Sequence, residues 1–121
     1  MTHPRIRRIV SRMDNQLDTF FAAIADPTRR AVIERLARGP ASVTELHDPD
    51  AMALPSFLKH INRLENAGLI RSEKTGRTRI LNIEAAPLAQ AESWLVRQRR
   101  LWEGKIDRLQ ALAEAMERRK S

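Results

Sequence analysis

Apolar residues recur three or four positions apart along most of this chain, which is the spacing of one face of an α-helix. This spacing predicts five helices, one of them short, at 15–25, 27–38, 43–48, 54–67 and 87–119. After the fourth helix, two short runs at 69–74 and 78–83 flank Thr75-Gly76-Arg77, which predicts a β-hairpin. The expected fold is therefore mainly α-helical with a small β-hairpin.

Local signals mark where several of these helices begin and end. Asp26-Pro27 supplies an N-cap followed by proline at the first helical position, and Gly39-Pro40 stops that helix. Ser42 and Glu45 have the spacing of a capping box at the start of the short helix. Gly68 suits the left-handed conformation that closes the helix at 54–67.

The helix at 54–67 has two chemically different faces. Its apolar side carries Phe57, Ile61 and Leu64, whereas Ser56, Lys59 and Arg63 lie within about 60° of one another on the other side. Short polar and basic side chains of this kind hydrogen-bond base edges and neutralise phosphates, which predicts a DNA-recognition helix. The alternative from this stretch alone is a solvated, mildly basic surface helix.

Composition narrows the classes of partner. The 121 residues carry a net charge of +7, which favours DNA, RNA or an anionic membrane surface. The absence of cysteine excludes disulfides and thiolate metal sites and fits a reducing cytosol. No apolar run reaches the roughly 18–20 residues of a membrane span, and the start lacks the apolar stretch of a secretory signal. We expect one cytoplasmic domain.

Two further stretches are rich in basic residues. Residues 1–13 contain four arginines and no acid, which is consistent with a basic arm for DNA, although a frayed tail is the preferred interpretation. Lys74, Arg77 and Arg79 place three positive charges at or beside the hairpin tip. Hairpin tips are often charged for solubility alone, but after a recognition helix these residues are expected to contact backbone phosphates.

The last helix has an apolar stripe that its own domain cannot cover. Large apolar residues stand at strict seven-residue intervals, at Leu88, Leu95, Trp102, Leu109 and Met116. A helix of about 30 residues would span about 45 Å. The stripe is expected to pair with a second copy of the chain, unless Gly104 bends the helix back. A small-molecule pocket around the tryptophans is the less favoured alternative.

With these elements placed, the chain resembles the ArsR-type winged-helix transcriptional repressors. The resemblance rests on "IADPTRRAVIERL" at 24–36, on "MALPSFLKHINRLENAGLI" at 52–70 and on the basic hairpin that follows. It implies a winged helix-turn-helix domain at 14–86 and a dimerisation helix at 87–121, preceded by the basic extension at 1–13, which is expected to be a frayed tail. A homodimer would then bind double-stranded DNA at an inverted-repeat operator.

The positions and chemistry of the side chains also assign residues to surfaces. The DNA-binding set lies on helix 54–67 and hairpin 69–83 and comprises Pro55, Ser56, Lys59, His60, Arg63, Lys74, Arg77 and Arg79. The dimer-interface set combines the first and last helices and comprises Leu17, Phe20, Phe21, Leu88, Leu95, Trp102 and Leu109. His60 lies near the buried edge of its helix, so a packing role and a phosphate contact are both open.

The chain departs from the pattern of its metal-sensing relatives. It lacks the Cys-x-Cys of the third helix, and residues 84–121 contain no histidine, so no metal or other cofactor is expected and any effector is unknown. Ala53 stands where similar proteins often have a capping Ser or Thr. His47 beside Asp48 and Asp50 is interpreted as a turn.

No motif points to an enzyme, because the chain has no glycine-rich phosphate loop and no nucleophile elbow. The main alternative function is a winged-helix module for dimerisation or protein interaction without specific DNA recognition. A dimerising subunit of a larger methyltransferase-like enzyme is a second alternative, which would require a separate catalytic subunit.

Overall fold

The computed structural model describes residues 15–120, so the predicted extension at 1–13 lies outside the described residues. Residues 15–120 form five helices and three strands. In chain order these are α1 (Asn15–Ile24), α2 (Pro27–Leu36), β1 (Ala41–Ser42), α3 (Val43–Leu46), α4 (Leu54–Asn66), β2 (Ile70–Thr75), β3 (Thr78–Ile83) and α5 (Ala86–Lys120). The predicted fold class, mainly helical with a hairpin wing, is confirmed.

The helix boundaries follow the local signals in the sequence. Asp26 caps α2, since its Oδ2 atom accepts a hydrogen bond from the backbone N–H of Arg29 at 3.0 Å. Ser42 caps α3 in the same way, with its Oγ atom 3.0 Å from the N–H of Glu45. Gly68 follows α4 with a φ of +73°, the left-handed conformation expected of a helix-closing glycine.

The sheet has one strand more than the sequence pattern predicted. Its order is β1-β3-β2, with both pairs antiparallel, so β3 is the central strand. Ser42 of β1 pairs with Ile80, and Thr75 pairs with Thr78 across the turn. The wing is therefore joined to the helix-turn-helix through β1 and is not a free hairpin.

The core lies between α1, α2, α4 and the sheet. Its most buried large side chains are Phe20, Val32, Leu36, Phe57, Ile61, Leu64, Leu69, Ile70 and Leu81. Phe20 is only 4% exposed and has little surface to offer a partner, so its assignment to the dimer interface does not fit the structure. Ala31 and Ala37 of α2 are exposed and lie outside this core.

The chain divides into two compact units, with the boundary between Ala89 and Gln90. In the second unit α5 continues unbroken through Gly104. Seven large apolar side chains of this unit are each more than half exposed: Leu95, Leu101, Trp102, Ile106, Leu109, Leu112 and Met116. Within residues 15–120, no helix combines the length and apolar character needed to cross a membrane.

Candidate nucleic-acid interface

Helix α4 is buried along one side and exposed along the other. Phe57, Ile61 and Leu64 are at most 3% exposed, because they pack into the core. Residues on the opposite side are exposed, namely Pro55, Ser56, Lys59, Asn62, Arg63 and Asn66. The structure thus brings the candidate base-reading residues to the surface of one helix, which projects from a fixed core.

His60 lies at the edge between these two faces, with 22% of its side chain exposed. Its Nδ1 atom is 2.9 Å from Nη1 of Arg29 and 3.7 Å from Oδ2 of Asp26. The pKa of Asp26 is lowered, chiefly by the hydrogen bond from the backbone N–H of Arg29, against an opposing effect of burial. His60 is therefore tied to the start of α2.

Arg29 and Arg30 contact the end of α1. Arg29 is buried, and its Nε and Nη2 atoms donate to the carbonyls of Ala23 and Ala22 at 2.6 and 3.2 Å. Arg30 donates from Nη1 to the carbonyl of Ile24 at 2.8 Å. Both cations therefore bind carbonyls in the last turn of α1, where positive charge is favourable.

Arg79 connects the wing to α4. Its Nη2 atom donates to Oε1 of Glu65 at 2.9 Å, and its Nε atom donates to Oγ of Ser72 at 2.9 Å. The assignment of Arg79 to the DNA-binding set did not anticipate these contacts. The same ion pair neutralises the single acid of α4, so the exposed polar face of that helix is basic.

The other two basic residues of the wing are exposed. Lys74 lies on β2, and Arg77 lies beside Gly76 in the turn, where Gly76 has a φ of +65°. Because Thr75 pairs with Thr78, Gly76 and Arg77 alone form the turn between the strands. Both side chains are therefore available at the wing tip.

His47 and its neighbouring acids form a turn. The Nε2 atom of His47 lies 2.8 Å from the carbonyl of Met52, and the backbone N–H of Asp50 donates to Oδ1 of Asp48 at 2.9 Å. The carboxylate of Asp48 is thus used locally. In the described part of the chain, no group of three or more His, Cys, Asp or Glu residues is arranged to hold a metal ion.

Sequence reasoning identified the exposed residues of the interface but missed the contacts that hold it in place. Arg29, Glu65 and Ser72 were not assigned to the site, although each has a side chain bonded to a candidate DNA-binding residue. Arg29 and His60 are 31 positions apart, and Glu65 and Arg79 are 14 apart. The sequence offered one signal of these contacts, which is the positive charge at the start of α2, where the helix dipole disfavours a cation.

Comparison with known proteins gives a consistent result. Residues 24–73 match a family model described as a helix-turn-helix domain. A helix-turn-helix transcriptional regulator of Mycobacterium tuberculosis, Rv2034, is 36% identical over 60% of this chain and 67% of its own length. The transcriptional repressor SdpR of Bacillus subtilis is 25% identical over 66% of this chain and 89% of its length.

A solved structure extends the comparison to three dimensions. The crystal structure of the ArsR family transcriptional regulator RHA00566 is 56% identical in sequence and superposes with a TM-score of 0.70. The match covers 74% of this chain and 98% of that one. Sequence and fold therefore agree over almost the whole of that regulator.

Proposed function

Since the chain belongs to the ArsR family of winged helix-turn-helix transcriptional regulators, which bind DNA, we propose that it is a homodimeric repressor of an inverted-repeat operator. The single observation that carries this proposal is the arrangement of α4. This helix is fixed in the core by Phe57, Ile61 and Leu64 and exposes a basic, hydrogen-bonding face.

Four exposed residues of α4 have roles that follow from their chemistry. Arg63 forms a bidentate contact with guanine, and Lys59 binds guanine or a phosphate. Ser56 lies in the first turn of the helix, where the backbone N–H groups and the helix dipole also favour a phosphate. Pro55 contacts the methyl group of a thymine. Base recognition in this scheme depends mainly on Arg63.

The wing supplies contacts that do not depend on sequence. Lys74 and Arg77 are exposed at its tip, while Arg79 is held by Glu65. Lys74 and Arg77 bind backbone phosphates beside the major groove that receives α4. They raise affinity for all DNA and fix the register of the recognition helix.

Dimerisation places two recognition helices on one duplex. The exposed apolar stripe of α5, including Leu88, Leu95, Trp102 and Leu109, supports pairing with a second copy, because it is too long a run of apolar side chains to remain in water. Leu17 and Phe21 of α1 are partly exposed and are further candidates for contact with a second copy. Successive major grooves on one side of DNA are about 34 Å apart, which sets the spacing of the half-sites.

Repression follows from occupancy of the operator. A bound dimer blocks the transcription of the genes next to its site, most simply its own operon. SdpR carries the name of a transcriptional repressor, which supports this direction of regulation.

The test is selection of bound sequences from a random double-stranded DNA pool at physiological salt. We expect enrichment of an inverted repeat whose half-sites are about one helical turn apart. A parallel selection with Arg63→Ala should enrich a weaker motif at the position that Arg63 contacts. Recovery of no motif, with affinity no greater than that for random DNA, would instead favour the protein-interaction module.

A further inference from the structure

Arg29 is a buried cation whose position is set by the end of α1. Only 9% of the residue is exposed. Its Nε and Nη2 atoms donate to the carbonyls of Ala23 and Ala22, which lie in the last turn of α1 and have no partner within that helix. Two hydrogen bonds to a helix C-terminus fix the plane of the guanidinium, so its remaining nitrogen, Nη1, points in a defined direction.

That remaining nitrogen contacts the recognition helix. Nη1 of Arg29 lies 2.9 Å from Nδ1 of His60. A guanidinium group has five N–H donors, no acceptor, and remains charged at all relevant pH values. The hydrogen bond therefore requires that Nδ1 of His60 be the acceptor and carry no proton. A neutral imidazole then holds its proton on Nε2, which makes Nε2 a donor.

The free donor lies beside the exposed face of α4. His60 follows Ser56 by four positions and precedes Arg63 by three, so all three are neighbours on the helix surface. Residues 15–120 supply no hydrogen bond to Nε2 of His60, although part of its side chain is exposed. An N–H donor at the edge of the proposed DNA-binding surface is suited to donate a hydrogen bond to a phosphate oxygen.

We propose that His60 donates its Nε2–H to a backbone phosphate of the operator, and that Arg29 is the positioning residue that fixes this tautomer without touching DNA. The inference rests on the proposed use of α4 as the recognition helix. It distinguishes a neutral hydrogen-bond donor from a cationic phosphate ligand. A neutral donor adds affinity without releasing a counterion, so it contributes nothing to the salt dependence of binding.

The tautomer can be tested without DNA. In the free full-length protein at neutral pH, nitrogen-15 NMR of the His60 ring should show a proton on Nε2 and none on Nδ1. With Arg29→Lys the single ammonium nitrogen cannot occupy the positions of three guanidinium nitrogens, so the signal should shift toward a mixture of tautomers. A proton on Nδ1 in the wild-type protein would overturn the proposal, whatever the variants do.

Two substitutions at His60 test the roles of its two ring nitrogens separately. Asn presents an amide oxygen near the position of Nδ1 and can still accept from Arg29, whereas Gln can place an N–H near the position of Nε2. We expect His60→Asn to weaken binding to operator and scrambled duplexes alike, by roughly three- to tenfold. His60→Gln should retain most of the affinity, and both variants should keep the wild-type salt slope. Wild-type affinity for His60→Asn, or a slope reduced by about one, would contradict the proposal.

A double-substitution cycle tests the role of Arg29. Arg29→Lys keeps the charge and should weaken binding about as much as His60→Asn, and the combined variant should be no weaker than either alone. Additive losses would show that Arg29 acts by another route. Arg63→Ala is measured in parallel. If the wild-type protein selects no operator, the proposed function is refuted. If Arg63→Ala lowers operator affinity as expected but His60→Asn does not, only the present inference is refuted.

Discussion

Arg79 of the wing donates a hydrogen bond to Glu65 of the recognition helix at 2.9 Å, and each side chain of the pair is less than one third exposed. The contact joins β3 to α4, which are the two elements that approach DNA in the proposed complex. It also means that the third positive charge of the wing is already balanced. Arg79 is therefore part of the framework that orients the interface.

This pairing predicts different salt dependence for two arginines of the same hairpin. Arg77→Ala should lower the slope of log K against log salt by about 0.9, because an exposed phosphate contact is lost. Arg79→Ala should change the slope by less than half as much, and should lower the free energy of unfolding by up to about 1 kcal/mol through loss of a partly buried pair. Binding titrations at several salt concentrations and denaturant unfolding provide the two measurements.

Lys74→Ala is the matched control, since it removes an exposed cation from the same wing. It should behave as Arg77→Ala does. Equal slopes for Arg77→Ala and Arg79→Ala would mean that Arg79 leaves Glu65 to bind DNA.

Helix and wing are expected to contribute differently to recognition. Arg63→Ala should reduce discrimination at one base-pair position by about 1–3 kcal/mol, because a bidentate contact with a base edge is lost. Arg77→Ala should weaken binding to specific and random duplexes about equally. Competition titrations with single-position operator variants measure both effects. The reverse assignment would show that the wing reads sequence and α4 does not.

The apolar stripe on α5 predicts a substitution that disrupts the dimer. Leu109→Glu would place a charge in the middle of the paired stripes, where it loses water without gaining a partner. We expect a monomer by sedimentation at micromolar concentration and at least a tenfold loss of operator affinity.

Ala111→Glu is the matched control for this substitution. Ala111 is two positions from Leu109 and on the opposite side of the helix from Trp102, so the same charge should leave the dimer intact. Dissociation by Ala111→Glu, or a dimer that tolerates Leu109→Glu, would place the interface elsewhere.

The uncapped start of α4 offers a stabilising substitution. Ala53 has extended N-cap geometry, with φ −66° and ψ 150°, but no side-chain hydrogen bond to the helix. Ala53→Ser should raise the free energy of unfolding by about 1 kcal/mol, because its hydroxyl can accept from a free N–H of the first turn. Thermal unfolding should show a higher midpoint. Ala53→Val, which has no capping group, should give no gain.

The lowered pKa of Asp26 predicts how stability changes in acid. A carboxyl with a folded-state pKa below its unfolded value stabilises the fold at pH values above the unfolded pKa. This contribution is lost as the pH falls below the ordinary aspartate pKa of 3.8 and through the folded-state pKa. Asp26→Asn keeps a capping side chain but cannot ionise.

Denaturant titrations of Asp26→Asn and wild type should therefore differ in stability at pH 6. The difference should shrink as the pH falls below about 4. A difference that persisted unchanged at about pH 2 would mean that the carboxylate charge contributes nothing to the fold.

Local signals in the sequence predicted much of this structure. Asp26-Pro27, the Ser42–Glu45 box and Gly68 act through neighbouring residues, and each lies where the sequence placed it. The faces of α4 follow from its 3.6-residue period and were also predicted.

The remaining features depend on contacts between distant residues. Strand β1 has two residues, too few to show any alternation, and forms only because β3 pairs with it. The Arg29–His60 and Arg79–Glu65 bonds join separate elements, and a local window does not show which distant residue each arginine contacts. The sequence therefore predicted the exposed residues of the interface better than it predicted the residues that bond to them and fix their positions.

The central position of β3 has a consequence for how such proteins diversify. Its residues Ile80 and Leu81 pair with strands on both sides, whereas Gly76 and Arg77 of the turn are exposed. Insertions at the turn would lengthen the wing. The part of β3 that pairs with β1 would keep its alignment. Insertions in the wing can therefore change the length of DNA that is contacted, while substitutions on α4 change the bases that are recognised, each without affecting the other.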